Sequence, residues 1–380
     1  MSELVFDNCR IVLEYEIVDG HVVVRDGKIA EIAEGPAPRG TQVYDCEGGY
    51  LVPGLVELHT DNLEKHLLPR PKVLWPEPES AFFAHDAQIV SSGITTVFDA
   101  LSVGEYHDKG RIAMLGEAVQ ALHACRETGA LRADHLLHLR CEVADPRMQD
   151  LFFPLTDEPA LHLVSLMDHT PGQRQWRNTE SYRTYYSQIV SWTDEEFSRM
   201  VDELQARRDA CADGNAASVV AFCHQRKLPM ASHDDTLLEH VNEALANGVS
   251  ICEFPTTEEA ARYAAESGMT VLMGAPNIVR GGSHSGNVGA EEVAKQGYLG
   301  ALSSDYVPIS LIGAVFTLAK HGTMTLPEAM QLVTSRPADA VGLKDRGRIA
   351  EGLRADLAVL RLVDDVPLVR SVWREGRQVF

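Results

Sequence analysis

Along the middle of the chain, short apolar runs alternate with helical patterns, and this alternation constrains the fold more than any other feature. The runs fall at 55–58, 94–99, 136–143, 161–168, 228–232, 249–254, 269–273 and 299–303. The spacing predicts a helix over 109–127 and a long helical insertion after the fourth run. Thr193 and Glu196 stand at capping-box spacing before Phe197. Thr257-Glu258-Glu259 opens a further helix that Gly268 closes. Eight strand–helix units over roughly 290 residues predict an α/β fold, a (β/α)8 TIM-like barrel. The apolar content suits strands covered by helices. A doubly wound sheet is the alternative, but it calls for a glycine-rich turn after the first strand, and Gly54 precedes that strand.

The ends of the chain read differently. Asp19-Gly20 and Asp26-Gly27 lie between β-branched, alternating runs, a strong hairpin signal. "ADLAVLRL" and "VRSVWREGRQVF" read as strands near the C-terminus, with a turn at Glu375-Gly376. The expectation is a small β-sandwich domain formed by both termini, residues 1–52 and 341–380, with the barrel at 53–340. Two unrelated hairpins are the plainer reading.

Charge and cysteines narrow the partners. A net charge of −21 argues against nucleic acid or an anionic membrane. It leaves room for a small anionic substrate held by local basic clusters. The seven cysteines include no C-x-x-C pair, which predicts a reduced, cytoplasmic chain without a thiolate zinc site. No signal-peptide pattern is read at "MSELVFDNCR", and no apolar run is long enough to span a bilayer.

In a barrel, chemistry gathers at the C-terminal ends of the strands. The first run leads into "VELHTDNLEKH", where His59 and Asp61 stand two apart, a spacing that points both side chains one way. Later runs end at Arg140-Cys141-Glu142, Asp168-His169, Ser232-His233-Asp234-Asp235, Glu253 and Ser303-Ser304-Asp305. Histidines and carboxylates therefore recur at one end of successive strands. Taken singly each is an ordinary loop residue, and Asp234 and Asp235 read as caps for a helix near Thr236. His85, His123, His240 and His321 lie in helical patterns and read as surface or packing residues. Nitrogen and oxygen donors without thiolate suit zinc, manganese or iron(II).

"YLVPGLVELHTDN", "GITTVFDA" and "GRIAEGLRADLAVL" resemble the first strand, second strand and C-terminal return of amidohydrolase-superfamily barrels. More narrowly, "VELHTDNLEKH", "HLRCEV", "MASHDD", "APNIVRGGSHSGN" and "LSSDYVP" are similar to the diphosphatase family of phosphonate breakdown. The resemblance implies hydrolysis of a ribosyl triphosphate and one or two divalent ions. It implies His59, Asp61 and His233 as ligands. It makes Asp305 the ligand and base that deprotonates the attacking water. No lysine is found where the superfamily often has a carboxylated one. Glu142 is its expected replacement, with His169 a further ligand and Glu253 a reserve.

A phosphoric anhydride needs charge neutralisation, so cations are expected near the site. Lys65, His66 and Arg70 follow the first strand. Arg280 and His284 flank a glycine-rich run after the seventh. "PGQRQWRNTESYRTYYSQ" supplies Arg174 and Arg177, and reads as a lid over the phosphates or as a solvated hairpin. Tyr182, Tyr185 and Tyr186 would suit a homo-oligomer interface if exposed. The rival functions are a deaminase, deacetylase or cyclic amidase on the same scaffold. A metal-free scaffold or binding protein is a rival from another class.

Overall fold

The computed structural model describes residues 3–37, 42–70, 73–104, 109–187, 190–283 and 286–380, with the backbone alone at 109–111. It forms two compact units. One comprises Met1–Asp99, Ala121–Leu136 and Met273–Phe380; the other comprises Ala100–Gln120 and Leu137–Leu272.

Asp26 and Gly27 both take left-handed backbone angles (φ 50° and 79°), as a two-residue primed turn requires. They join strand Ile17–Arg25 to strand Lys28–Glu34. Glu375 and Gly376 repeat the device (φ 49° and 71°), as do Asp364 and Asp365 (φ 48° and 65°). Asp19-Gly20 does not turn. Both residues lie within Ile17–Arg25, paired to Arg10 and Cys9. A Cβ on Gly20 would sit 2.0 Å from the Ala33 carbonyl oxygen, so glycine is there for close strand approach. The reversal lies earlier, where the Leu13 N–H donates to the Glu16 carbonyl at 2.9 Å.

The two termini share one sheet. Strand Leu357–Val363 pairs antiparallel with Tyr50–Pro53, which pairs with Glu3–Val12. Phe6, Ile11, Val22, Leu51, Val359 and Trp373 fill its core. Phe6 and Trp373 meet edge to face at 4.7 Å.

The barrel strands are β1 Leu55–Thr60, β2 Ile94–Val103, β3 Asp134–Glu142, β4 Leu161–Met167, β5 Met230–His233, β6 Ile251–Glu253, β7 Thr270–Gly274 and β8 Ala301–Ser303. They hydrogen-bond in chain order. A parallel bridge between Thr60 and Asp305 joins the end of β8 to β1. The result is a nearly closed (β/α)8 barrel. Every residue of β1 and β2 is buried, as strands covered on both faces must be. β2 runs four residues beyond its expected end because "ALSV" continues the apolar run.

Helix Lys109–Glu127 forms as expected. The insertion after β4 contains the 33-residue helix Asp194–Arg226, and Thr193 and Glu196 close its capping box. Before it, helix Thr179–Tyr186 builds a small apolar core from Trp176, Tyr182, Phe197 and Val201. Tyr182 is therefore buried, at 1% exposure, and not the exposed ring expected for an interface. No helix among the described residues is long and apolar enough to cross a membrane.

Candidate metal centre

In the first unit, backbone hydrogen bonds bring the ends of β1 and β8 together. Glu57 is fully buried and accepts from the His59 N–H at 2.7 Å and the Ser304 N–H at 2.5 Å. Burial pushes its carboxyl up to about 7, with those donors pulling the other way. The Ser303 hydroxyl donates to the His59 carbonyl at 2.6 Å. Asp305 N–H donates to the same carbonyl at 3.2 Å, and Asp61 N–H donates to the Asp305 carbonyl at 3.1 Å. Asp305 takes a left-handed backbone (φ 52°), which aspartate tolerates better than most residues. His59, Asp61 and Asp305 are thus set by backbone pairing at neighbouring strand ends. Oδ1 of Asp61 is buried with no hydrogen-bond partner. That oxygen is open to a ligand, so Asp61 is a candidate donor.

The second unit holds a denser cluster. Glu142, at the end of β3, accepts from His169 twice: from its backbone N–H at 3.1 Å and from Nδ1 at 2.6 Å. That fixes the ring and turns Nε2 away from Glu142, the orientation a metal-binding histidine needs. Nε2 of His169 lies 3.6 Å from Asp234 Oδ2, and Nε2 of His233 lies 3.5 Å from the same oxygen. On the other side of its ring, Nδ1 of His233 lies 3.3 Å from Glu253 Oε2. Bonds of about 2.1 Å at the tetrahedral angle set donor atoms about 3.4 Å apart. The spacings in His169, His233 and Asp234 are too long for hydrogen bonds and right for one shared ion. Oδ2 of Asp234 is itself buried without a hydrogen-bond partner. Burial drives His233 down to about 3, keeping a neutral imidazole as a ligand must be. Burial opposes protonation of His169 too, but Glu142 and Asp234 outweigh it and hold the group up at about 9. A bound cation would take the place of that proton. The donor set fits a divalent metal.

Asp234 and Asp235 are not helix caps. The next helix is Leu238–Ala246, entered from Leu237. Asp234 takes a left-handed backbone (φ 58°), which presents its carboxylate to His169 and His233. Asp235 is buried and pairs with Arg174. Arg174 also donates to the His233 carbonyl at 3.2 Å. This guanidinium, expected as a lid cation over the phosphates, braces the β5 end and is paired within the protein. Arg177 is exposed.

The other expected cations are spread. Lys65 donates to the Tyr306 carbonyl and lies 5.2 Å from that ring. Nε2 of His66 is 3.1 Å from Gln88 Oε1. Arg70 is exposed. Arg280 is exposed at the end of helix Ala275–Arg280, which Gly281 closes at φ 78°. His284 lies outside the described residues.

The sequence also concealed a second histidine–carboxylate group, in the first unit. His85 Nε2 meets Asp99 Oδ1 at 2.7 Å, and His135 Nδ1 meets Asp99 Oδ2 at 2.8 Å. His135 Nε2 is 3.3 Å from Asp86. The Asn62 amide donates to His85 Nδ1 at 3.0 Å and to Gln88 at 3.0 Å. His85 is fully buried here, a packing residue with a defined partner.

The model of the amidohydrolase family matches residues 178–380. The alpha-D-ribose 1-methylphosphonate 5-triphosphate diphosphatase of Escherichia coli (strain K12) is 47% identical, over 99% of this chain and 100% of its own. The imidazolonepropionase of Deinococcus deserti is 24% identical over 95% of this chain and 92% of its own. Among solved structures, the N-acetylglucosamine-6-phosphate deacetylase of Pasteurella multocida superposes with a TM-score of 0.66 at 13% identity, covering 99% of each chain. That last likeness concerns the fold alone. With a relative this similar end to end, and with carboxylates and histidines gathered at the strand ends, the chain belongs to the amidohydrolase family.

Proposed function

We propose that this chain hydrolyses alpha-D-ribose 1-methylphosphonate 5-triphosphate to the 5-phosphate and pyrophosphate, as a step of phosphonate breakdown. The observation that carries this reading is the 47% identity to the diphosphatase over nearly the whole of both chains. His59 and Asp61 in the first unit and His169, His233 and Asp234 in the second are candidate ligands for one or two divalent ions. Zinc suits their nitrogen and oxygen donors. A divalent ion bound there supplies Lewis acidity and lowers the pKa of water to about 7.

The chain's own residues do the rest. Glu142 and Glu253 orient the two imidazoles through Nδ1. Asp305, held by its backbone against β1, is the base that takes the proton from the attacking water. The water attacks the phosphorus nearest the ribose, and pyrophosphate leaves. Pyrophosphate needs neutralised charge more than a proton. Lys65, His66, Arg70, Arg177, Arg280 and His284 are the candidate cations for it. A substrate panel tests the reading. After reconstitution with zinc or manganese, pyrophosphate release should be fastest from the ribosyl phosphonate triphosphate and slower from nucleoside triphosphates, and chelation should abolish it. Ammonia release from amides with no pyrophosphate release would replace this reading with a deaminase.

A further inference from the structure

Arg140 is a buried charged residue of the second unit. It lies in β3, one pleat below Glu142, and is 8% exposed. Its Nε and Nη1 are buried and find no hydrogen-bond acceptor. No carboxylate forms an ion pair with it among the described residues. A buried arginine is ordinarily paired, because the desolvation of a lone guanidinium is costly.

Its surroundings say where it faces. His138, Arg140 and Glu142 alternate along β3 and so share one face. At one end of that face Glu142 holds His169 at 2.6 Å. At the other, His138 Nε2 bonds the Ser165 hydroxyl at 3.0 Å and lies 3.9 Å from Glu253, the carboxylate beside His233. Arg140 therefore sits between two side chains that reach the candidate metal centre.

A guanidinium presents parallel N–H donors that match two oxygens of a phosphoryl group. We propose that Arg140 is a phosphate-binding residue, its unpartnered N–H groups taking oxygens of the substrate's phosphate chain beside His169 and His233. The substrate supplies the counter-charge that the protein withholds. The proposal rests on the diphosphatase reading for the identity of the anion. Arg140 then tells a phosphorylated substrate from a neutral amide, which would leave the guanidinium unpaired.

The test is calorimetric titration of the metal-loaded protein with inorganic tripolyphosphate. Arg140→Gln should weaken binding about 10- to 100-fold, the range for hydrogen bonds to a charged group. Arg140→Lys should recover part of the loss, and metal content should stay at the wild-type level. The melting temperature of ligand-free Arg140→Gln and Arg140→Met should equal or exceed that of wild type, since a lone buried charge has gone. An unchanged Kd in Arg140→Gln would overturn the proposal, as would wild-type protein that does not bind tripolyphosphate. So would lowered melting temperatures or insoluble variants, which would make Arg140 structural. Pyrophosphate release by the wild type tests the diphosphatase reading separately, so one can fail without the other.

Discussion

Two histidine–carboxylate groups in this molecule have nearly the same composition and opposite character. His85, Asp99 and His135 meet at 2.7 and 2.8 Å, each nitrogen–oxygen contact a closed hydrogen bond. His169, His233 and Asp234 meet at 3.5 and 3.6 Å and leave a carboxylate oxygen orphaned. The first group is saturated: Asp99 spends both oxygens on imidazoles, and Asn62 occupies the remaining nitrogen of His85. The second holds Nε2 of both imidazoles 3.5 and 3.6 Å from one carboxylate oxygen. Residue types alone do not separate a closed charge network from a candidate metal centre. The gap between the donor atoms is what sets these two groups apart.

The largest effect should come from the open cluster. Asp234→Asn should remove bound metal and lower pyrophosphate release on the order of 1000-fold, with the fold kept, because several kcal/mol of Lewis-acid stabilisation are lost. Elemental analysis and circular dichroism check both halves. Full metal occupancy in this variant would break the contrast.

In the closed cluster the expectation inverts. Asp99→Asn should cost about 3–5 kcal/mol of stability, the usual result of breaking a buried pair, and should leave metal stoichiometry unchanged. Urea denaturation measures it. The same variant carries a pH signature. Burial opposes both charges, yet the pair sustains them, with Asp99 held down at about 2 and His135 held up at about 9. His135 contributes stability that is whole below its unfolded pKa, about 6.5, and is lost as pH rises through 9. Asp99 contributes stability that is whole above about 4 and is lost as pH falls toward 2. Wild-type urea midpoints should therefore fall between pH 6.5 and 9, and Asp99→Asn should flatten that slope. Equal slopes would show the closed cluster to be electrostatically idle.

The smallest effect sharpens the boundary between the two groups. Glu142→Gln loosens the His169 ring without removing a donor from the trio, so metal affinity should fall about 10- to 100-fold. Competition with a chelating dye reads this directly. A loss well beyond about 1000-fold would make Glu142 a ligand in its own right.

Much of the barrel was legible from the sequence because apolar period and helix caps are local. Thr193 and Glu196 cap the helix their spacing predicted. Asp26-Gly27 turns the hairpin its backbone preference predicted. Asp19-Gly20 misled because glycine serves close approach as well as turning, and only the position of the Ala33 carbonyl separates the two. Asp234 read as a cap because a carboxylate before a helical run has two uses. The left-handed turn that swings it toward His169 leaves no mark in the residue type. Arg174 looked like a phosphate cation, and its partner Asp235 lies 61 residues away.

Residue identity alone determined the alternation of strands and helices, the ends at which histidines and carboxylates gather, and the donor types open to a metal. Each follows from local periodicity and side-chain chemistry. The tertiary structure decided which donors touch and which stand apart, and which charges are neutralised from within. It left Arg140 buried without an acceptor. Those outcomes depend on separations of tenths of an ångström between residues distant in the chain, and no local pattern carries them.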